Sequence, residues 1–183
     1  MVLFVLYMKA DLENVASISI RPGCTLCMTV KNPLSDWEVR EQVVVDTSGY
    51  LEQEESDREP PRHFQLQWES NKKLSTLVVL NPTEAKSAVK KFKKKVKQLD
   101  TVLPRSYTAT DAGVFAPILM VECRGLEPTD YFARVDEFVV TSEAGTTFDE
   151  EVDLSQGDWS DYDVDHDVPV SVTEVGFKWE SVK

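Results

Sequence analysis

The chain has 183 residues with 42% hydrophobic and 28% charged residues, ordinary globular usage that excludes wholesale disorder and fits one domain or two small halves sharing a core. Lys and Arg number 20 against 32 Asp and Glu, a net charge of −12, so a phosphate backbone would be repelled by most of the surface. We therefore expect no nucleic-acid partner. No apolar run approaches the roughly 20 residues of a membrane helix, and the apolar start at 1–8 has neither a basic leader nor a cleavage site. It reads as a buried strand, and the expected address is cytoplasmic. Three cysteines, Cys24, Cys27 and Cys123, cannot all pair, which argues against a secreted disulfide scaffold.

In chain order, residues 1–80 read as strands. The runs at 1–8 and 25–31 are β-rich, 37–45 alternates loosely, 63–68 alternates strictly, and 74–80 is apolar and β-branched up to the breaker Asn81-Pro82. Residues 52–61 are polar, charged and end in two prolines, so we read them as an exposed loop. After Pro82 the pattern changes to a helix, with Thr83 as the expected cap. Val89, Phe92, Val96 and Leu99 share its apolar face, and Lys86, Lys90, Lys91, Lys93, Lys94, Lys95 and Lys97 cover the rest. A connector follows at 104–117. Strands return at 118–122, 134–141 and 168–179, separated by the acidic segment 149–167, which holds nine carboxylates and no Lys or Arg.

Strands, one helix and strands again suit an all-β architecture, sandwich or barrel-like, better than a βαβ fold. The expected organisation is a single domain over 1–183, made of an N-terminal β half at 1–80, a helix and connector at 81–117, and a C-terminal β half at 118–183.

Motifs for catalysis are missing. The seven glycines form no GxGxxG or phosphate loop, and there is no GxSxG elbow. His63 sits in a strand pattern and His166 in the acidic segment, with nothing local to pair either with a cysteine nucleophile. We expect no enzyme. Residues 161–167 imitate the start of a calcium loop, but His166 and Val172 stand where an EF-hand needs Gly and Glu, so this is read as a solvated loop. Cys24-Thr25-Leu26-Cys27 has the spacing of zinc and redox sites. In a strand, residues three apart face opposite ways and cannot share one ion, so the cysteines are read as small, partly buried thiols. The alternative is a zinc site of Cys24 and Cys27 with a third ligand, Cys123 or His63. For the lysine-rich helix, two readings stand side by side: its charge meets the chain's own acidic segment, or it meets an external partner.

Three stretches carry a family likeness: Val121-Glu122-Cys123-Arg124-Gly125-Leu126-Glu127-Pro128, Gly145-Thr146-Thr147-Phe148 and Asp158-Trp159-Ser160-Asp161-Tyr162-Asp163. With Leu12-Glu13-Asn14-Val15 and Arg21-Pro22, they make the chain resemble the CXXC-motif-containing zinc-binding proteins, a small eukaryotic family. The resemblance implies an all-β fold of two related halves, with one zinc held by two CxxC pairs. The first pair should fall near Lys31-Asn32-Pro33-Leu34 and the second near Trp68-Glu69-Ser70-Asn71, where this chain has no cysteine. The expectation is a member that has lost the family zinc and carries no cofactor, with Leu34 and Trp68 packing where ligands would have been and Pro33 stiffening the turn. The expected function is recognition of a protein partner by a cytoplasmic monomer. The stretches of closest likeness offer Arg124, Glu127, Trp159, Asp161, Tyr162 and Asp163 as its candidate surface, but the reading placed first for them is structural, with Arg124 paired to a buried carboxylate and Trp159 and Tyr162 anchoring the loop.

Overall fold

The computed structural model describes residues 1–91 and 101–182. The central strand is β1 (Val2–Glu13), and its continuous apolar run is explained by burial on both faces. Leu3 and Val5 point to one side and Phe4, Leu6, Met8 and Ala10 to the other, each nearly inaccessible to solvent.

The remaining strands are β2 (Val15–Ile20), β3 (Thr25–Lys31), β4 (Val39–Asp46), β5 (Phe64–Gln67), β6 (Leu74–Val79), β7 (Tyr107–Thr108), β8 (Ala116–Arg124), β9 (Glu127–Tyr131), β10 (Phe138–Ser142), β11 (Thr147–Phe148), β12 (Trp159–Asp163) and β13 (Val168–Ser181), with the helix α1 at Pro82–Lys91 between β6 and β7. They form a six-stranded sheet in the order β12-β13-β1-β8-β6-β5, a four-stranded sheet β11-β10-β2-β7 and a three-stranded sheet β4-β3-β9. The expected all-β class is the observed one, with α1 the single α-helix among the described residues. Strands from before and after α1 occur together in all three sheets, because β1 pairs with β8 and β13, β2 with β7 and β10, and β3 with β9.

Both smaller sheets cover the same face of the large one. Phe4 and Leu6 meet Leu26, Met28 and Val30 of β3 together with Trp68, while Met8 and Ala10 meet Val15 and Ile18 of β2 and Phe138 and Val140 of β10. The chain passes from the first sheet to the second at Asn14, whose left-handed backbone (φ 54) makes the corner and whose side-chain amide donates to the Pro169 carbonyl at 2.7 Å. The opposite face is covered by α1, where Ala85, Ala88 and Val89 pack on Leu3, Val5 and Met120.

Two expectations need correction, and a third is not tested. Asn81, not Thr83, caps the helix: its Oδ1 accepts from the backbone N–H groups of Thr83 and Glu84, and Glu84 Oε2 accepts from Asn81 N–H in return. The expected apolar positions Phe92, Val96 and Leu99 lie outside the described residues. The acidic segment is not one loop, since Val152 and Leu154 are buried in the core and 159–163 is a strand. Its buried residues also pack on the face of the large sheet opposite α1, so Lys86, Lys90 and Lys91 are not laid against it.

Candidate functional site

The resemblance placed its ligand pairs on two turns, and the fold does bring those turns together. After β3, Asn32-Pro33-Leu34-Ser35 closes through Ser35 N–H to Asn32 O (3.2 Å), and Asn32 N–H is bonded to Glu38 O (2.9 Å). The Asn32 side-chain carbonyl accepts from Leu34 N–H at 3.0 Å, an Asx turn. After β5, a second turn closes through Asn71 N–H to Trp68 O (3.2 Å).

The carboxylate of Glu38 clasps one turn to the other. Its Oε1 accepts from the Ser70 backbone N–H at 2.9 Å, and its Oε2 accepts from the Ser70 hydroxyl at 2.5 Å and the Asn32 amide at 2.6 Å. The Asn32 amide also reaches Ser70 Oγ at 3.3 Å. Glu38 and Asn32 are both buried, 9% and 4% exposed. Hydrogen bonds from Ser70 favour the charged form and hold the Glu38 carboxyl below the usual range.

This donor set does not fit structural zinc. It offers one carboxylate, one amide and one hydroxyl, where a closed tetrahedral site takes thiolates and imidazoles. Among the described residues no group of three or more His, Cys, Asp and Glu side chains could hold a metal ion. Cys27 lies within β3, whose even-numbered residues face the core that Cys24 and Cys123 pack against; Cys27 is outside that core.

The chemistry of the individual candidates follows from burial. Burial pushes the Cys24 thiol up to about 12, helped by the nearby Glu137, and pushes Cys123 upward as well; both are thiols at neutral pH. His63 Nδ1 accepts from Val79 N–H at 3.0 Å, so its neutral ring carries the proton on Nε2, and burial lowers its pKa. Cys24 and His63 line one cleft, but a neutral thiol and an imidazole held by the backbone are not an activated nucleophile.

Trp68 is where the expectation of packing holds: it is 1% exposed, its indole N–H donates to Gly125 O at 2.7 Å, and the Arg40 guanidinium lies over its ring at 5.7 Å. Leu34 corrects the expectation, being 86% exposed; the Asx turn directs it outward, and hydrogen bonds rather than apolar contacts join the turns. The clasp itself was not anticipated. Asn32 before a proline signals the turn, but nothing local signals its bond to Glu38 and Ser70.

The candidate partner residues are not brought together. Arg124, paired with Glu122 at 3.1 Å, and Glu127, paired with Lys31 at 3.5 Å, lie beyond the Val2 end of β1, whereas β12 joins β13 opposite the Glu13 end. A strand rise of about 3.3 Å per residue puts these ends roughly 30 Å apart. In β12, Trp159 packs edge-on against Phe148. Asp163 is buried and accepts from Ser142 at 3.0 Å and His166 at 3.1 Å, and the Tyr162 hydroxyl donates to Asp167. Asp161 is exposed at the surface, so 159–167 is a braced hairpin rather than a calcium loop.

The model of the eukaryotic CXXC motif containing zinc binding protein family matches residues 5–180. The chain belongs to this family. It is 43% identical over 77 residues to the UPF0587 protein CG4646 of Drosophila melanogaster and 39% identical over 69 residues to the CXXC motif containing zinc binding protein of Xenopus laevis. These matches cover 42% and 38% of this chain and 47% and 42% of the relatives, so the chain spans about half the length of the curated relatives it matches. Two solved structures share the fold across 98% of the chain at TM-score 0.77: a hypothetical protein from Plasmodium falciparum, 22% identical and covered over 100% of its length, and C1orf123, 20% identical and covered over 99%.

Proposed function

We propose that this chain is a zinc-free member of the CXXC zinc-binding family that acts in the cytoplasm, as a monomer, by recognising another protein rather than by catalysis. The observation that carries the reading is the Glu38–Asn32–Ser70 clasp: the junction to which the resemblance assigns four thiolates is held here by hydrogen bonds. All three cysteines are free thiols, which suits a reducing compartment, and among the described residues no helix is long and apolar enough to cross a membrane.

Recognition is supported by what the clasp displays. Leu34 and Trp37 stand 86% and 84% exposed on the same braced turn, and an exposed tryptophan on a rigid element is the kind of group that dominates protein interfaces.

The test is the metal content of protein purified without a metal-affinity tag or chelator. Near-zero zinc, with a melting temperature unmoved by EDTA, is expected. About one zinc per chain, released by thiol modification, would overturn the zinc-free reading and put Cys24 and Cys27 in its place. For recognition, Trp37→Ala with Leu34→Ser is expected to remove partners cross-linked to the wild-type protein while shifting stability by no more than about 0.5 kcal/mol, as surface substitutions do. Retention of every partner by that double variant would reject this surface.

A further inference from the structure

Away from the clasp, a cleft of about 610 Å³ opens between the β2–β3 loop, the segment after β4 and the start of α1, within the size range of small-molecule sites. Its floor is apolar, formed by Ile20, Leu26, Val79, Leu80, Ile118 and Leu119.

Of the charged side chains lining it, Arg105 and Glu84 are held by hydrogen bonds and Arg21 is not. Arg105 is held by Asp111 through two bonds of 2.6 Å. Glu84 is engaged by Asn81 N–H at 2.9 Å and by the Tyr50 hydroxyl at 3.4 Å. His63 keeps Nε2–H as a free donor and packs at a tilt of 34° against Tyr50, ring centres 4.6 Å apart. Arg21 differs. Its backbone N–H is bonded to Glu137 O, but its guanidinium Nε and Nη2 are buried with no hydrogen-bond partner. These two nitrogens form the side-on edge with which arginine grips a carboxylate through parallel bonds. Arg21 also lines a hollow of about 280 Å³ shared with Glu137, whose Oε1 is likewise unpartnered. Glu137, raised to about 8 by burial, is protonated at neutral pH and offers Arg21 no counter-charge. Two guanidinium nitrogens shut off from solvent without partners cost free energy, which an anionic ligand would recover once the partly exposed Arg21 side chain turns them towards it.

We propose that the cleft binds a free amphipathic organic anion, its carboxylate head engaged by Arg21 and its aliphatic body lying on the apolar floor.

The test is a titration followed by amide NMR shifts, with octanoate as the probe, octan-1-ol as the same body without the charge, and inorganic phosphate as an anion without the body. Octanoate is expected to shift the amides of Gly23 and Gly49 saturably and to bind at least about tenfold more tightly than either control. Arg21→Gln is expected to lower octanoate affinity about tenfold and leave octanol unchanged, with Arg21→Lys between. Should Arg21→Gln not fold, Ser106→Glu at the exposed cleft wall adds a fixed negative charge and is expected to weaken octanoate by a similar factor. Equal binding of octanoate and octanol, equal binding of phosphate, shifts mapping elsewhere, or no saturable shift would each overturn the proposal.

Discussion

Gly125 meets two demands that no other residue satisfies. Its backbone is left-handed, at φ +71, and a β-carbon there would stand 2.6 Å from Ser75 Oγ, while its carbonyl accepts from both Trp68 Nε1 and Ser75 Oγ. Gly125→Ala is expected to cost about 1–3 kcal/mol, and removing the clash with Ser75→Ala in the same chain should recover part of it; urea denaturation of the single and double variants checks this. Glu137 carries the pH prediction. Its carboxyl is raised to about 8 in the folded protein by burial, whereas the unfolded chain releases that proton near pH 4.3. Between those values the folded state binds more protons, so stability falls as pH rises. Glu137→Gln should flatten that decline, and an unchanged slope between pH 5 and pH 8 would show that another group causes it. Glu38 runs the other way. Its lowered carboxyl stabilises the fold above the ordinary glutamate range and loses that contribution as pH falls through the lowered value. Glu38→Ala should lower the melting temperature at neutral pH and narrow the difference from wild type in acid. The clasp was illegible at this scale, because Asn, Ser and Glu in polar turns look alike whether they are solvated or locked together. Only the approach of two turns distant in sequence distinguishes them.

The elements were easiest to see where one periodicity ruled. The strict alternation at 63–68 became β5, and the run from Val168 became β13, because a strand with one face on the core must alternate. β9 escaped notice because Pro128 breaks a strand pattern; it is tolerated at this edge of the three-stranded sheet. β2 escaped because Ser17 and Ser19 dilute its apolar residues. For the helix, the run of lysines was plain but its start was misplaced by two residues, since Pro82 sits at the first helical position, where a missing N–H costs nothing, and leaves Asn81 as the cap. Asn81→Ala is therefore expected to destabilise the protein by about 1 kcal/mol, and Thr83→Ala much less. Equal effects on the thermal unfolding midpoint would contradict the capping geometry.

At the scale of the whole molecule, the chain's two β-rich regions cannot be separated as physical units. β1 needs β8 on one side and β13 on the other, and the smaller sheets likewise pair β2 with β10 and β3 with β9. Local pattern cannot reveal such pairings, because they join residues 96 or more positions apart and are decided by which apolar faces close a common core. The consequence is a chain whose folding waits on its last strand, with loop-closure entropy set against every long-range pairing. A chain ending before Val168 would leave β1 and β12 without a partner on β13 and strip Val170 and Val172 from the core. It should therefore show no cooperative unfolding transition, whereas a cut within the exposed loop at 52–60, which crosses no strand, should leave two fragments that remain associated and melt together. Size-exclusion chromatography with calorimetry of the nicked and truncated proteins distinguishes the cases. A truncated chain that melted cooperatively would mean that the core closes on β1 and β8 without the last strand, so that β13 is not what the fold waits on.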